Sequence, residues 1–375
     1  MIFNTDFNLV NFLRKRLTAL FNYFIIFLIS ISFVQLLAVI YIGEQKSRGC
    51  VIGGEFMVEK ISRVGLAKAE SRRQSVFASL DYVRVDIESK IRNQVLLKPN
   101  FLTSKNQLAS THIDSIRGTI DFLKSVKNPP DEIIIAEGGN EAYSGEAFKN
   151  FGYHNLEDEF GISVRLIDLN LETNWVETPI ITAVEERERN VRMPKIVLDC
   201  PCTISIAVAK THDVCVVTLA QKNLIMGTLH RDDRIWMHGF SSHAERILPD
   251  EARILNANLI RVSKHLKADI GIIDGTVGLQ GNGPGGTDAV PLGVAAASAD
   301  VFSSDAVICK AMGFEPMEMG LLNYAQTLGV GVADLNDIDV IGASLEEITR
   351  SFLPHETTSQ QLLWREQRAE EFARK

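Results

Sequence analysis

The stretch QVLLKPNFLTSKNQLASTHIDSIRGTIDFLKSVKNPPDEIIIAEGGN, residues 94–140, decides the fold. Short apolar runs at residues 94–97 and 132–136 bracket a segment, residues 112–127, whose isoleucines and leucine fall at helical spacing. Strand, helix and strand in that order predict an α/β domain with a mostly parallel or mixed central sheet flanked by helices. The same alternation extends outward. Strands are expected at residues 63–67, 163–169, 203–209, 268–273, 292–298 and 338–341, and helices at residues 71–92, 213–224, 249–266, 301–312, 317–327 and 358–374. Residues 172–191 have poor periodicity and read as an irregular or antiparallel excursion, which leaves a two-lobed arrangement open.

Composition sets the outer limits. At 375 residues the chain buries a full core without a disulfide or metal staple. Its 39 basic against 47 acidic residues, net -8, give no footprint for sequence-blind nucleic-acid binding. Cysteines 50, 200, 202, 215 and 309 form no CxxC pair and no long-spaced metal pattern, so no metal site is assigned to them.

The N-terminus stands apart. Between Leu17 and Ile42 no residue is charged, enough for a hydrophobic helix that spans a membrane once. Arg14, Lys15 and Arg16 before it favour a cytoplasmic N-terminus, weakly opposed by Lys46 and Arg48. A second reading takes the Phe-, Ile- and Asn-rich residues 1–56 as translation upstream of the true start, with Met57 opening the domain; the protein is then cytoplasmic. Either way the division is residues 1–56, hydrophobic segment, and residues 57–375, a single α/β domain.

Ligands of open parallel sheets bind beyond the carboxyl ends of the strands, where loops converge. The expected strand ends carry Lys98-Pro99-Asn100, Glu137-Gly138-Gly139-Asn140, Lys210-Thr211-His212, Asp274-Gly275 and Asp300. Pro99 pushes Lys98 away from helical geometry and so fixes where its ammonium sits. Singly, each is as readily a solvated charge, a turn or a helix cap. If residues 213–224 form a helix, Thr218 and Lys222 share one face, with Asn223 beside them and Lys210 and His212 at its start. A histidine next to two lysines stays neutral at pH 7, and one lysine desolvated near another becomes a nucleophile.

The histidines of HRDDRIWMHGFSSH, residues 230–243, suit a loop that closes over a cleft, His238 being the one singled out. Gly283, in the glycine-rich residues 278–286, permits close approach to an anion. Asp300 and Asp305 lie at a helix start, where capping and magnesium binding are both open.

Taken in order, Lys98-Pro99-Asn100, Lys210-Thr211-His212, Thr218-Leu219, Lys222-Asn223-Leu224, Gly227, Asp274-Gly275, Gly283-Pro284 and the segment from Asp300 to Gly313 resemble the family known as domain of unknown function 362, over residues 60–345. The resemblance implies an α/β domain whose relatives are often joined to ferredoxin-like iron-sulfur segments. No CxxCxxCxxxCP run is present here, so no iron-sulfur cluster is expected in this chain.

The functional expectation is an enzyme that binds a small anionic metabolite, phosphorylated or carboxylated. Lys210, His212 and Lys222 are its expected catalytic residues, with His212 as general acid/base. Lys98, Asn100, Asn223, Glu137, Gly138, Gly139, Gly283 and Asp274 are its expected binding residues, Asn223 serving as an oxyanion donor. No cofactor is assigned, although Glu137, Asp274 and Asp300 would permit a divalent cation. The alternative is a non-catalytic redox partner or binding module that works with an iron-sulfur protein. That alternative predicts a large exposed apolar patch and an acidic face, and the enzyme predicts a deep cleft lined by the three lysines.

Overall fold

The computed structural model describes residues 49–52, 55–58, 62–140, 144–183 and 187–375, the first two stretches by backbone only. The chain divides into two compact units, Met1–Glu59 and Lys60–Lys375. In the first, β1 (Gly49–Ile52) and β2 (Glu55–Val58) pair antiparallel. The hydrophobic helix expected between Leu17 and Ile42 lies outside the described residues. Among the described residues no helix is long and apolar enough to cross a membrane.

The second unit is built on one sheet. Its strands are β3 (Ser62–Ala67), β4 (Gln94–Lys98), β5 (Glu132–Glu137), β6 (Ser163–Asp168), β9 (Thr203–His212), β11 (Ile270–Leu279), β13 (Val294–Ser298) and β14 (Ile338–Gly342), with β7 (Trp175–Ile181) and β8 (Glu188–Pro194) set apart as a hairpin. The order is β14-β3-β13-β11-β9-β4-β5-β6, with β10 (Val216–Thr218) folded onto β9 and β12 (Ala289–Val290) onto β11. Along this path only β13 runs against its neighbours, so the sheet is mixed and mostly parallel.

Burial explains the pattern. Every residue of β9 is buried, as expected of a central strand covered on both faces. Alternate side chains supply two cores. Val95, Leu97, Ile133 and Ile135 pack under α1 (Arg72–Tyr82) and α2 (Ile113–Ser125). Leu96, Ile134, Ala207 and Ile273 pack under α3 (Ala220–Thr228), α4 (Asp250–Ser263) and α5 (Val301–Ala311). Within the expected excursion over residues 172–191, the described strands β7 and β8 pair antiparallel.

Several local expectations are corrected. Residues 213–224 do not form one helix. β9 continues to His212, and the β-branched and apolar run Val214 to Val217 turns back so that β10 pairs with it, Val216 taking a left-handed φ of 62°. The helix starts only at Ala220, so Thr218 and Lys222 do not share a helical face. The expected helix over residues 71–92 breaks at Val83, and the tail helix over residues 358–374 is two short ones.

Asp300 and Asp274 leave the expected cleft for topological reasons. Asp300 follows the one reversed strand, so it sits at the opposite edge of the sheet, where it accepts a hydrogen bond from the Phe302 N–H and caps α5. Asp305 accepts from the N–H groups of Ala220 (2.7 Å) and Gln221 (3.1 Å) and anchors the start of α3. Asp274 lies inside β11, which runs on to Leu279. It pairs with Arg72 at 2.7 Å and accepts from Ser115 Oγ at 2.8 Å, tying α1 and α2 to the sheet. Glu137, Asp274 and Asp300 therefore do not converge on a common cation.

The Arg72–Asp274 pair generates a stability prediction. Removing one partner of a buried pair strands the other charge, at a cost of about 3–5 kcal/mol. Arg72, 19% exposed, keeps some access to water, which places the expected loss for Asp274→Ala near the low end of that range. Urea denaturation midpoints read this loss, while small-anion binding in the cleft is expected to stay at its wild-type level.

Candidate functional site

The carboxyl ends of β4, β5 and β9 open into a cleft of about 460 Å³. Period-two alternation aims Lys210 and His212 to the same side of β9, while Thr211 between them points away and donates to the Gly281 carbonyl at 2.9 Å. Lys222 and Asn223 enter from α3, Glu137 and Gly138 from the end of β5, and Asn100 from beyond β4. Strand and helix ends thus bring together residues far apart in the chain.

Lys98 lies beneath the floor. It is 0% exposed, ion-pairs with Glu137, and donates to the Pro99 carbonyl (2.7 Å) and Asn223 Oδ1 (2.9 Å). Burial pulls Lys98 down and pushes Glu137 up, and the charge of each partner only partly offsets this. Glu137 faces the cleft and Lys98 does not. Gly227 closes over the pair: a Cβ there would stand 2.2 Å from Lys98 Nζ, and its carbonyl accepts from the Gly138 N–H at 2.8 Å.

Asn223 also changes role. Its Oδ1 accepts from Lys98 and its Nδ2 donates to Ser205 Oγ at 3.0 Å, so the amide holds the Lys98 end of the site and has no free donor aimed at an oxyanion. Asn100 lines the cleft with its amide nitrogen held by the Ala109 carbonyl at 2.5 Å. Gly139 and Gly283 stand behind the lining. The Gly139 N–H donates to Ser144 Oγ, and Gly283 packs on Thr211 and places Pro284 at the rim.

Lys210 is the most unusual cation of the cleft. It is 1% exposed, its Nζ donates to the Ala109 carbonyl at 3.1 Å, and among the described residues no carboxylate pairs with it. Burial first, then the charges of Lys222 and Lys98, pull it down to about 7. Near neutral pH it is therefore close to half amine.

His212 bridges two neighbours. Its Nε2 meets Lys222 Nζ at 2.9 Å and its Nδ1 meets Asp213 Oδ1 at 3.0 Å, with the Val214 N–H also approaching Nδ1 at 3.1 Å. The charge-assisted contacts with the Lys222 ammonium and the Asp213 carboxylate outweigh the neutral Val214 N–H that also points at Nδ1, and so put the ring proton on Nδ1. Burial and Lys222 hold His212 down to about 3, so it is neutral at pH 7. Burial pushes Asp213 up, but its contacts with His212 and Arg246 prevail and keep it well below the usual carboxylate range. Beyond it, Arg246 reaches Asp213 at 2.9 Å and also pairs with Glu251, which accepts from His238 Nδ1 at 2.6 Å.

The sequence reading missed the arginines. Residues 230–243, expected as a flexible closing loop, fold into short helices that wall the cleft and contribute Arg231, Arg234 and His238. No spacing signal marks Arg231 or Arg234, because their place depends on packing against the end of β5. In all, Lys210, Lys222, Arg231, Arg234 and Arg246 line the cleft against the carboxylates of Glu137 and Asp213. Among the described residues no group of three or more His, Cys, Asp or Glu side chains could hold a metal ion.

The Lys210 environment predicts a pH dependence. Its folded value near 7 lies below the ordinary 10.5, so between these values the unfolded chain binds the extra proton and stability rises with pH. The penalty is full below pH 7 and gone above 10.5. Lys210→Met is accordingly expected to exceed wild type in stability at pH 6, the gap closing as pH climbs from 7 towards 10.5, followed by urea denaturation at each pH.

Comparison with known proteins bears on the same region. A family model described as a domain of unknown function (DUF362) matches residues 95–310. A thylakoid-associated protein of Synechocystis sp. is 27% identical over 242 residues, which cover 64% of this chain and 68% of that protein. Among solved structures, the lactate racemase apoprotein from Thermoanaerobacterium thermosaccharolyticum is similar with a TM-score of 0.39 and 11% identity, covering 66% of this chain and 58% of that one.

Proposed function

This chain belongs to the DUF362 family, and we propose that it is an enzyme that binds a small anionic metabolite, carboxylated or phosphorylated, and exchanges a proton with it through Lys210. One observation carries the reading: a buried lysine that has no carboxylate partner among the described residues and is lowered to about 7 faces a cleft whose lining holds more cations than carboxylates. A general base works best with its value near the operating pH, and burying an unpaired ammonium costs stability that a structural lysine has no reason to spend.

His212 then has a different part from the one expected of it. At about 3 it is too weak a base for neutral solution, so it accepts from Lys222 and fixes that ammonium as a point charge for the substrate anion. Asp213 and Arg246 hold the ring in that orientation. Glu137, pushed up by burial, is a second group able to hold a proton at the cleft wall. The concave cationic site favours the enzyme over the redox-partner reading, which calls for a flat apolar docking face.

Native mass spectrometry of the full chain as purified, followed by thermal-shift screening of carboxylated and phosphorylated metabolites, tests the reading. A bound or stabilising anion is expected, and with it Lys210→Ala is expected to lose turnover by at least about a hundredfold, the range of general acid–base catalysis. The wild-type rate is expected to rise with pH through about 7 as the Lys210 amine is freed. A Lys210→Ala variant with full turnover overturns the catalytic assignment.

A further inference from the structure

The cations of the cleft are not equivalent. Arg246 is neutralised by Asp213 and Glu251, and Lys98 by Glu137. Arg231 and Arg234, at the Gly138 end, have no carboxylate partner among the described residues, and neither do Lys210 and Lys222 at the other end.

Arg234 is the decisive one. It is 9% exposed, and among the described residues its guanidinium donates only to uncharged oxygens: Leu229 O at 3.0 Å, Gly139 O at 3.3 Å and Asn170 Oδ1 at 3.3 Å. Those three bonds leave two of its five N–H donors unspent beside the cleft. Burial pulls it down to about 10, and the charges of Glu137 and Asp168 only partly offset this. The backbone leaves room for it, since a Cβ on Gly138 would lie 2.5 Å from Arg234 Nη2. Arg231, exposed at the mouth, adds a second charge to this end. Glu137 faces the cleft and acts electrostatically on both Arg234 and Lys210.

We infer that Arg234 and Arg231 form a second anion subsite, distinct from Lys210 and Lys222, and that the metabolite carries two anionic groups, a carboxylate for the Arg234 fork and a carboxylate or phosphate for the lysines. The inference rests on the anion-binding reading above and specifies its substrate class. A planar fork matches a planar carboxylate through paired N–H donors, and ammonium groups take either anion as point charges.

Isothermal titration of the full chain at pH 7 tests it, with the dicarboxylates malonate to adipate and 2-phosphoglycolate as two-group probes and butyrate and inorganic phosphate as one-group controls. The best two-group probe is expected to bind at least about tenfold more tightly than either control, and whether it is a dicarboxylate or phosphoglycolate names the second group. In Arg234→Lys the preference is expected to fall below about threefold while phosphate affinity stays the same. Arg234 also supports Leu229 and Gly139, so Arg231→Ala, at an exposed side chain, provides a second variant with the same direction of change. Equal binding of one- and two-group probes by wild type, or variants that keep the full preference, overturns this inference and leaves the parent reading standing. If no probe binds wild type, both fall.

Discussion

The buried contact between Lys98 and Glu137 is the constraint on which the rest of the site depends. It joins the carboxyl ends of two adjacent parallel strands at a depth where Lys98 is shut off from water and Glu137 nearly so, which leaves the surroundings to supply the partners of the ammonium. Pro99 and Asn223 complete the ammonium, and Gly227 has no side chain because the ammonium occupies that space. α3 is thereby held against β4 and β5 at a fixed height, which also sets where Lys222 meets His212. A buried ion pair contributes little net stability, but it permits few alternative arrangements of the elements it joins.

Above that floor, the electrostatics of the cleft oppose those of the molecule. The chain carries a net charge of -8, yet the cleft presents more cations than carboxylates, several of them buried. Unpaired buried charge is costly in the free protein and is relieved when an anion enters. An anion that entered the cleft would therefore stabilise the fold by mass action. Burial first, and the crowding of positive charge second, lower Lys210 and keep His212 neutral.

Much of this was legible in the chain. The periodicity located the eight strands of the main sheet to within a few residues, because strands buried on both faces must be continuous apolar runs. The polar ends of β4, β5 and β9 pointed to the cleft, since parallel strands deliver their carboxyl ends to one edge. The helix expected over residues 213–224 failed at Val214 to Val217, where β-branched residues favour a pairing strand and no local signal shows that a partner strand is waiting.

What the sequence by itself determined is the α/β alternation, the family motifs, and the polar ends of the strands that carry Glu137, Lys210 and His212, because each follows from apolar period and from what ends a strand. Tertiary structure alone decided the rest. It reversed β13 and so removed Asp300, ran β11 past Asp274, sank Lys98 below the lining, and brought in Arg231 and Arg234 from a segment with no pattern of its own. Strand direction and side-chain depth depend on which distant elements pack together, and that information is spread over the whole chain.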